Sequence, residues 1–168
     1  MMLLERVNIV EGFPPVDLST AANNGDWISL KNYRSVVVLF HSGVGTNGQD
    51  PTLTIEQAKD VSGTGVKALN FTTIYRKQAA TDLSGTAKWT KTTQAAANTY
   101  TNTDAAEQSA LWAVEFSAAD LDVANGFDCI RATVADVGAN AQPGSLHYIL
   151  ADPRYASAPE DMASAIAD

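Results

Sequence analysis

The chain has 168 residues, which is enough for one domain that buries roughly 70% of the surface its unfolded form exposes. Hydrophobic residues make up 45% of it and charged residues 18%, a composition typical of globular and not of disordered proteins. The formal charge is −8 and the 11 Lys and Arg residues form no cluster, which disfavours nucleic acid as a partner because phosphate binding needs grouped cations. The single cysteine, Cys129, excludes an internal disulfide and is predicted to be a small buried side chain.

Residues 1–15 are predicted to form an extended N-terminal arm. A weak alternation over residues 5–10 indicates an edge strand, and Pro14 and Pro15 then remove two backbone donors and stiffen the chain. The first four residues are apolar but too few for a signal-peptide core, and no stretch approaches the roughly 20 apolar residues that cross a bilayer. We therefore expect no membrane partner, and synthesis in the cytoplasm.

The most apolar run, residues 35–41, predicts the central strand of the fold. Three consecutive valines disfavour a helix, and large apolar side chains occupy both faces of the run, so we expect both faces to be shielded from water. Residues 26–30 are predicted to form the preceding strand, and a turn at residues 31–34 joins the two in a first hairpin.

Short strands separated by turn signals are predicted along the rest of the chain to residue 150. In residues 52–56, Leu53 and Ile55 share one face, which is the alternation of a half-buried strand. Residues 79–103 are polar and small, and predict a short strand over residues 88–92 followed by a mobile loop. Further strands are predicted over residues 68–78, 110–116, 127–134 and 146–150.

Helical structure is predicted only in short pieces. Residues 117–120 have capping-box spacing, with Asp120 in place of the usual glutamate, and indicate a single helical turn. A C-terminal tail, residues 156–168, leaves the sheet and allows a short helix with Met162 and Ile166 on one face. Roughly seven to nine strands without crossover helices predict an all-β fold over residues 16–155, an antiparallel β-sandwich or barrel of jelly-roll type with extended arms.

Two loops resemble ligand-binding motifs but lack the context that these motifs need. Residues 43–48 satisfy G-x-G-x-x-G, yet Pro51 and an alternating strand pattern follow where a dinucleotide site needs a helix N-terminus. Residues 120–126 are acidic like a calcium loop, but Ala124 and Asn125 stand where an EF-hand has an oxygen ligand and a glycine. We predict no metal and no cofactor.

No arrangement of nucleophile, base and acid is visible. The two histidines, His41 and His147, lie at or within apolar strands without a nucleophile motif, so each is predicted to pack in or beside the core. Nothing next to Cys129 indicates an activated thiolate, and the acidic residues give no specific pair for glycoside hydrolysis. We expect no catalytic residues and no enzymatic activity.

Five phrases of the sequence carry a family resemblance that runs from about residue 15 to residue 155: DWISLKNY (26–33), DPTLT (50–54), DVSGTGVKAL (60–69), GFD (126–128) and DPRY (152–155). They resemble small virion proteins of tailed bacteriophages. The resemblance implies a structural protein of the virion, specifically a decoration (cement) protein that binds the major capsid protein on the outer surface of the head. Such proteins commonly form homotrimers and stiffen the shell, and a chain of charge −8 suits a surface away from the genome.

We predict that the two terminal segments reach neighbouring subunits in the particle. Their prolines reduce the entropy lost on docking, and several of their apolar side chains have no evident place in a sandwich. The predicted partner contacts are Leu3, Leu4, Phe13, Pro14, Arg154, Tyr155, Met162 and Ile166.

Two other functions stay open from the sequence. A tail tube or head–tail adaptor subunit would keep the virion but differ in location and copy number. A carbohydrate-binding sandwich would use Trp89, which has polar neighbours and is predicted at the surface, whereas Trp27 and Trp112 lie in strand patterns where core packing is expected.

Overall fold

The apolar run at residues 35–41 lies in one of two six-stranded antiparallel sheets in the computed structural model, which describes residues 2–101, 108–155 and 158–167. The run has two strands on one side and three on the other, so the prediction of a central strand is confirmed. Across this sheet, termed sheet A, the strands are in order β1 (Val7–Asp17), β12 (Pro143–Pro153), β4 (Tyr33–Ser42), β10 (Ser109–Ser117), β7 (Phe71–Ala79) and β8 (Thr90–Ala97).

The second sheet, sheet B, is built from shorter strands. Its two middle strands are β11 (Cys129–Val134) and β5 (Thr52–Ala58), and the latter follows the alternation predicted for Leu53 and Ile55. β11 also pairs with β2 (Asn23–Asn24) and β3 (Ile28–Ser29), and β5 also pairs with β6 (Lys67–Ala68) and β9 (Thr99–Thr101).

Helical structure in the described residues is limited to 3-10 turns of three residues each. They are Leu3–Glu5, Ala118–Asp120, Val123–Asn125 and Pro159–Asp161. The turn predicted after residue 117 is confirmed, with Ser117 at its cap: the Ser117 amide donates to the Asp120 carboxylate at 2.7 Å. No helix in the described part of the chain has the length and apolar character needed to cross a membrane.

The strand connections give a jelly roll. Strands β1, β12, β4 and β10 of sheet A lie in the order of one jelly-roll sheet, and β3, β11, β5 and β9 lie in the order of the other. β7 and β8 are additions between β5 and β9 in the chain, and they extend sheet A beyond β10. The predicted all-β antiparallel sandwich is confirmed, and of the two architectures considered the barrel is not formed, because β1 and β8 are separate edges of sheet A.

Only one face of β4 is fully shielded. Val36, Val38 and Phe40 point between the sheets and are buried, whereas Val37 and Leu39 on the outer face are half-buried. The expectation that both faces are shielded is therefore wrong for the single chain. Neighbouring strands cover the flanks of these outer side chains but not their ends.

The predicted hairpin between residues 26–30 and the central strand is wrong. β3 belongs to sheet B, where Ile28 lies opposite Ile130, and β4 belongs to sheet A. The turn between them, closed by a hydrogen bond from the Tyr33 amide to the Leu30 carbonyl at 3.1 Å, carries the chain across the sandwich. Turn residues indicate that the chain reverses, but they do not specify which sheet the next strand joins.

The edge strand predicted over residues 5–10 of the N-terminal segment is confirmed, and it is longer than predicted. β1 begins at Val7 and pairs with β12, so of the described residues only 2–6 precede it. The strand continues through Pro14 and Pro15 because it lies at the sheet edge, and its register shifts on both sides of Phe13. Phe13 itself packs in the core, where it is buried.

The loop predicted within residues 79–103 and the helix predicted in the C-terminal tail both differ from the structure. The strand predicted over residues 88–92 extends to Ala97, and β9 follows it; residues 102–103 of the predicted loop lie outside the described residues. Small residues such as those at 95–97 carry no alternation, so the strand is determined by its pairing with β7. In the tail, of which residues 156, 157 and 168 lie outside the description, the helix is reduced to the turn Pro159–Asp161.

The core between the sheets contains two side chains that connect them. Trp112 of sheet A packs with its ring centroid 4.9 Å from that of Tyr100 in sheet B and 5.3 Å from that of Phe40. The hydroxyl of Tyr148 in sheet A accepts a hydrogen bond from the Ala132 amide in sheet B at 2.9 Å and donates one to the Asp26 carbonyl at 3.1 Å. Both side chains are fully buried.

Candidate functional site

One end of the sandwich carries a groove. Here β4 begins and β10 and β12 end, so side chains from three neighbouring strands of sheet A meet. The main hollow has a volume of about 740 Å³ and is lined by Arg34, Ser117, Ala118, Ala119, Asp152, Pro153 and Arg154. A second hollow of about 390 Å³ shares Ala118, Ala119 and Arg154 with it, and adds Leu30, Lys31, Val123 and Asp128. We term the two together the end groove.

The backbone at the end of β12 directs Arg154 into this groove. Asp152 adopts a left-handed conformation with φ of 52°, which is uncommon for a residue other than glycine, though aspartate tolerates it better than most. Its amide donates to the Arg6 carbonyl at 3.0 Å, and the Arg6 guanidinium lies 3.6 Å from its carboxylate. Two residues on, the Arg154 amide donates to the Asn32 carbonyl at 2.8 Å. The strand end is therefore fixed on both sides of Pro153.

Three cationic side chains line the end groove: Lys31, Arg34 and Arg154. All three are exposed, and none forms a salt bridge with another described residue. Two carboxylates also line the groove, Asp152 and Asp128, and Asp152 is paired with Arg6. In a chain with 19 acidic and 11 basic residues, the groove lining thus has more cations than acids.

Exposed apolar side chains border the same end. The contact between Arg6 and Asp152 holds the N-terminal turn there, and that turn presents Leu3 and Leu4, which are 71% and 56% exposed. Tyr155, immediately after the fixed strand end, is 77% exposed. Apolar groups of this size in water commonly mark a surface that binds another molecule.

The C-terminal tail returns to this end as well. The Ala163 carbonyl accepts a hydrogen bond from the Tyr33 hydroxyl at 2.5 Å, and the Ala165 carbonyl accepts one from the Ser29 amide at 2.7 Å. On either side of these two hydrogen-bonded residues, Met162 is half-buried and Ile166 is exposed.

The structure thus brings most of the predicted partner contacts to one end and separates two of them. Phe13 is a core residue, and Pro14 is exposed near the opposite end of β1. The gathered residues are Leu3, Leu4, Arg154, Tyr155, Met162 and Ile166. Sequence reasoning missed Lys31 and Arg34, since isolated cations before a strand give no signal until the ends of β4 and β12 are known to be neighbours.

The acidic loop at residues 120–126 is organised by its own contacts. The Asp122 carboxylate accepts hydrogen bonds from the Lys67 ammonium and, at 2.8 and 2.9 Å, from the Asn125 amide. These hydrogen bonds, that of Lys67 first, hold the pKa of Asp122 below its ordinary value. The G-x-G-x-x-G loop at residues 43–48 is followed by strand β5, as predicted, and not by a helix.

The remaining candidates for chemistry are dispersed. His41 is exposed, so its predicted packing against the core is wrong. His147 is half-buried on the same outer face of sheet A. Both histidines have apolar neighbours in the sequence, and these neighbours resemble a core pattern. Cys129 is buried as predicted, with its thiol 3.2 Å from the Asp128 carboxylate. Trp112 is buried and Trp89 exposed, both as predicted.

Trp27, expected in the core, is only half-buried. The guanidinium carbon of Arg131 lies 4.6 Å from the centre of its ring, and the same guanidinium is 2.8 Å from the Glu56 carboxylate. Trp27 is therefore covered by a paired cation at the surface of sheet B and not by the second sheet.

Comparison of the chain with family models, with curated proteins and with solved structures gives no match to any of the three.

Proposed function

We propose that this chain is a structural protein of a tailed-phage virion, a decoration protein that binds the major capsid protein on the outer surface of the head and stabilises the shell. The proposal rests on the resemblance of the sequence phrases and on the distribution of exposed apolar side chains. It assigns the chain no catalytic role, no cofactor and no nucleic-acid partner.

The distribution of exposed apolar groups is the observation that carries the proposal. Eleven large apolar side chains are exposed among the described residues, and five of them lie either before strand β1 or after strand β12. Burying a leucine or methionine against a partner contributes about 1.5–3 kcal/mol per fully covered side chain. The five are Met2, Leu3, Leu4, Tyr155 and Ile166.

Stabilisation of the shell then follows from linkage. A protein that binds the assembled lattice and not its separated subunits shifts the equilibrium towards the lattice. A homotrimer at a threefold position would hold three such ends at once, so that modest contacts give a long residence time. The acidic body, at −8 per chain, would face solvent.

Changing Leu3 and Leu4 together to serine is expected to reduce capsid occupancy while leaving the fold intact. Both side chains are exposed, so the free energy of unfolding should change by less than about 0.5 kcal/mol. Loss of two apolar contacts should weaken binding to capsids by about tenfold or more. Co-sedimentation with purified capsids measures the affinity, and thermal melting measures stability. The matched control, Val44→Ser, removes an exposed apolar group elsewhere and should bind normally; equal binding of all three proteins would contradict the assignment of this end.

Electron cryo-microscopy of virions with and without the protein tests its location. We expect additional density on the outside of the shell, in many symmetry-related copies. Density confined to the tail would replace the proposal by the tube or adaptor function, and density on the inner, genome-facing side would refute both the location and the charge argument.

A second candidate function, glycan binding, is favoured by one exposed aromatic group. Trp89 is 44% exposed, the Lys77 ammonium lies 5.0 Å from its ring centre, and Tyr75 presents a second exposed ring on the same strand as Lys77. Aromatic rings at a surface suit the apolar faces of sugars. If this function is correct, Trp89→Ala abolishes binding on a glycan array and Trp27→Phe does not; an array without any signal from the unchanged protein would exclude it.

A further inference from the structure

We infer that the end groove binds an acidic segment of a protein partner, with Arg34, Arg154 and Lys31 receiving its carboxylates. The inference rests on the proposed function only for the identity of that partner, which would be the capsid subunit. The binding chemistry itself is argued from the groove.

Arg34, Arg154 and Lys31 line the two adjoining hollows of the groove. Cationic side chains placed together repel one another, and in this chain 19 acidic residues are present to relieve such repulsion. Three cations outside the groove are relieved in this way: Lys67 pairs with Asp122, Arg131 with Glu56 and Arg6 with Asp152. Within the described residues the three groove cations have no such pair. They therefore form a positive site that an external anion completes.

The apolar part of the groove lining favours one type of anion. Besides its cations, the groove is lined by Leu30, Ala118, Ala119, Val123 and Pro153, an apolar floor that an inorganic ion or a phosphate backbone would not use. A peptide that carries carboxylates beside apolar side chains satisfies both the rim and the floor.

The backbone around the groove is held by hydrogen bonds. Arg34 lies on β4, which pairs with strands on both sides, and Arg154 follows a proline between two backbone hydrogen bonds. The capped turn after Ser117 fixes the remaining wall. The backbone that carries Arg34 and Arg154 is therefore fixed, so a bound carboxylate would need to order only the two side chains, whose guanidinium groups can donate to it in a bidentate fork.

The test is a fluorescence-anisotropy titration with a labelled peptide of about ten alternating Glu and Leu residues, compared with a peptide in which Gln replaces each Glu and with single-stranded DNA of equal charge. We expect binding of the Glu peptide only, weakened at high ionic strength because exposed ion pairs are screened. The double variant Arg34→Gln, Arg154→Gln should weaken this binding by about tenfold or more. Thermal melting verifies that each variant is folded.

The matched control removes two exposed cations outside the groove, Lys88→Gln and Lys91→Gln, and so changes the net charge equally. It should bind the Glu peptide like the unchanged protein. No binding of the Glu peptide, equal weakening by both double variants, or preferential binding of DNA would overturn the inference. If the protein binds the Glu peptide but is absent from virions, the proposed function is wrong and the inference about the groove stands. If the Arg34→Gln, Arg154→Gln variant still binds virions like the unchanged protein, the inference about the groove is wrong and the proposed function stands.

Discussion

Replacement of Trp112 by alanine is expected to lower the free energy of unfolding by about 3–5 kcal/mol, the cost of removing a large buried aromatic ring and leaving a cavity. Trp112 lies between the two sheets, against Tyr100 of β9 and Phe40 of β4. Its ring is the largest fully buried side chain of the described residues. Urea unfolding followed by circular dichroism measures the change.

Trp112→Phe is the control, and it should cost much less than the alanine substitution. Phenylalanine keeps one aromatic ring in the same position, and the indole Nε1–H that it removes has no hydrogen-bond partner among the described residues. Leaving a buried donor unpaired costs about 1–3 kcal/mol, so its removal offsets part of the packing that is lost. If alanine and phenylalanine destabilise equally, the ring contacts are not what holds the sheets together here.

Tyr148→Phe is expected to destabilise the protein by about 1–3 kcal/mol at neutral pH, although only one oxygen is removed. The lost hydroxyl leaves the buried Ala132 amide without its partner, and it also removes the part-buried hydrogen bond to the Asp26 carbonyl. The urea midpoint should fall while the slope of the transition, which reports the surface exposed on unfolding, stays the same.

The same substitution should remove part of the alkaline sensitivity of the fold. Burial raises the pKa of Tyr148 well above its ordinary value of 10, because the charged phenolate is poorly solvated there. The neutral phenol is thus favoured in the folded state. Its contribution is complete below pH 10 and is lost at higher pH, by up to about 1.4 kcal/mol per pH unit until the folded pKa is reached.

Stability measured between neutral pH and pH 11 distinguishes Tyr148 from the exposed tyrosine Tyr155. Tyr148→Phe should show a flatter decline above pH 10 than the unchanged protein, and Tyr155→Phe should show the same decline as the unchanged protein. A decline that is identical in the two variants would mean that ionisation of Tyr148 does not contribute to alkaline unfolding.

The strands themselves were predictable from local patterns, because alternation reports which face of a strand is buried. Leu53 and Ile55 of β5 follow this rule, whereas the central run of β4 is apolar on both faces and was identified by its β-branched residues and its length. The fold class follows from many short strands without helices. Composition and turn signals are enough for that inference, since they restrict the chain to a few layered architectures.

Partner choice between strands was not predictable, because it depends on contacts far apart in the chain. β3 precedes β4 by a tight turn yet pairs with β11, about a hundred residues further on. The end groove has the same origin: Lys31 and Arg34 meet Arg154 only because β4 and β12 are neighbours in sheet A. Sequence reasoning identified Arg154 from a phrase, but it had no means of finding the other two cations.

The prolines of β1 affect the tendency of the protein to aggregate at high local concentration. An open sheet edge has a row of amide donors and carbonyl acceptors that a strand of another molecule can join, which is a common route to aggregates. Pro14 and Pro15 offer no such donors, and the shifted register around Phe13 bends the strand away from a regular ladder. At this edge, crowded molecules are thereby kept from merging into continuous fibrous sheets.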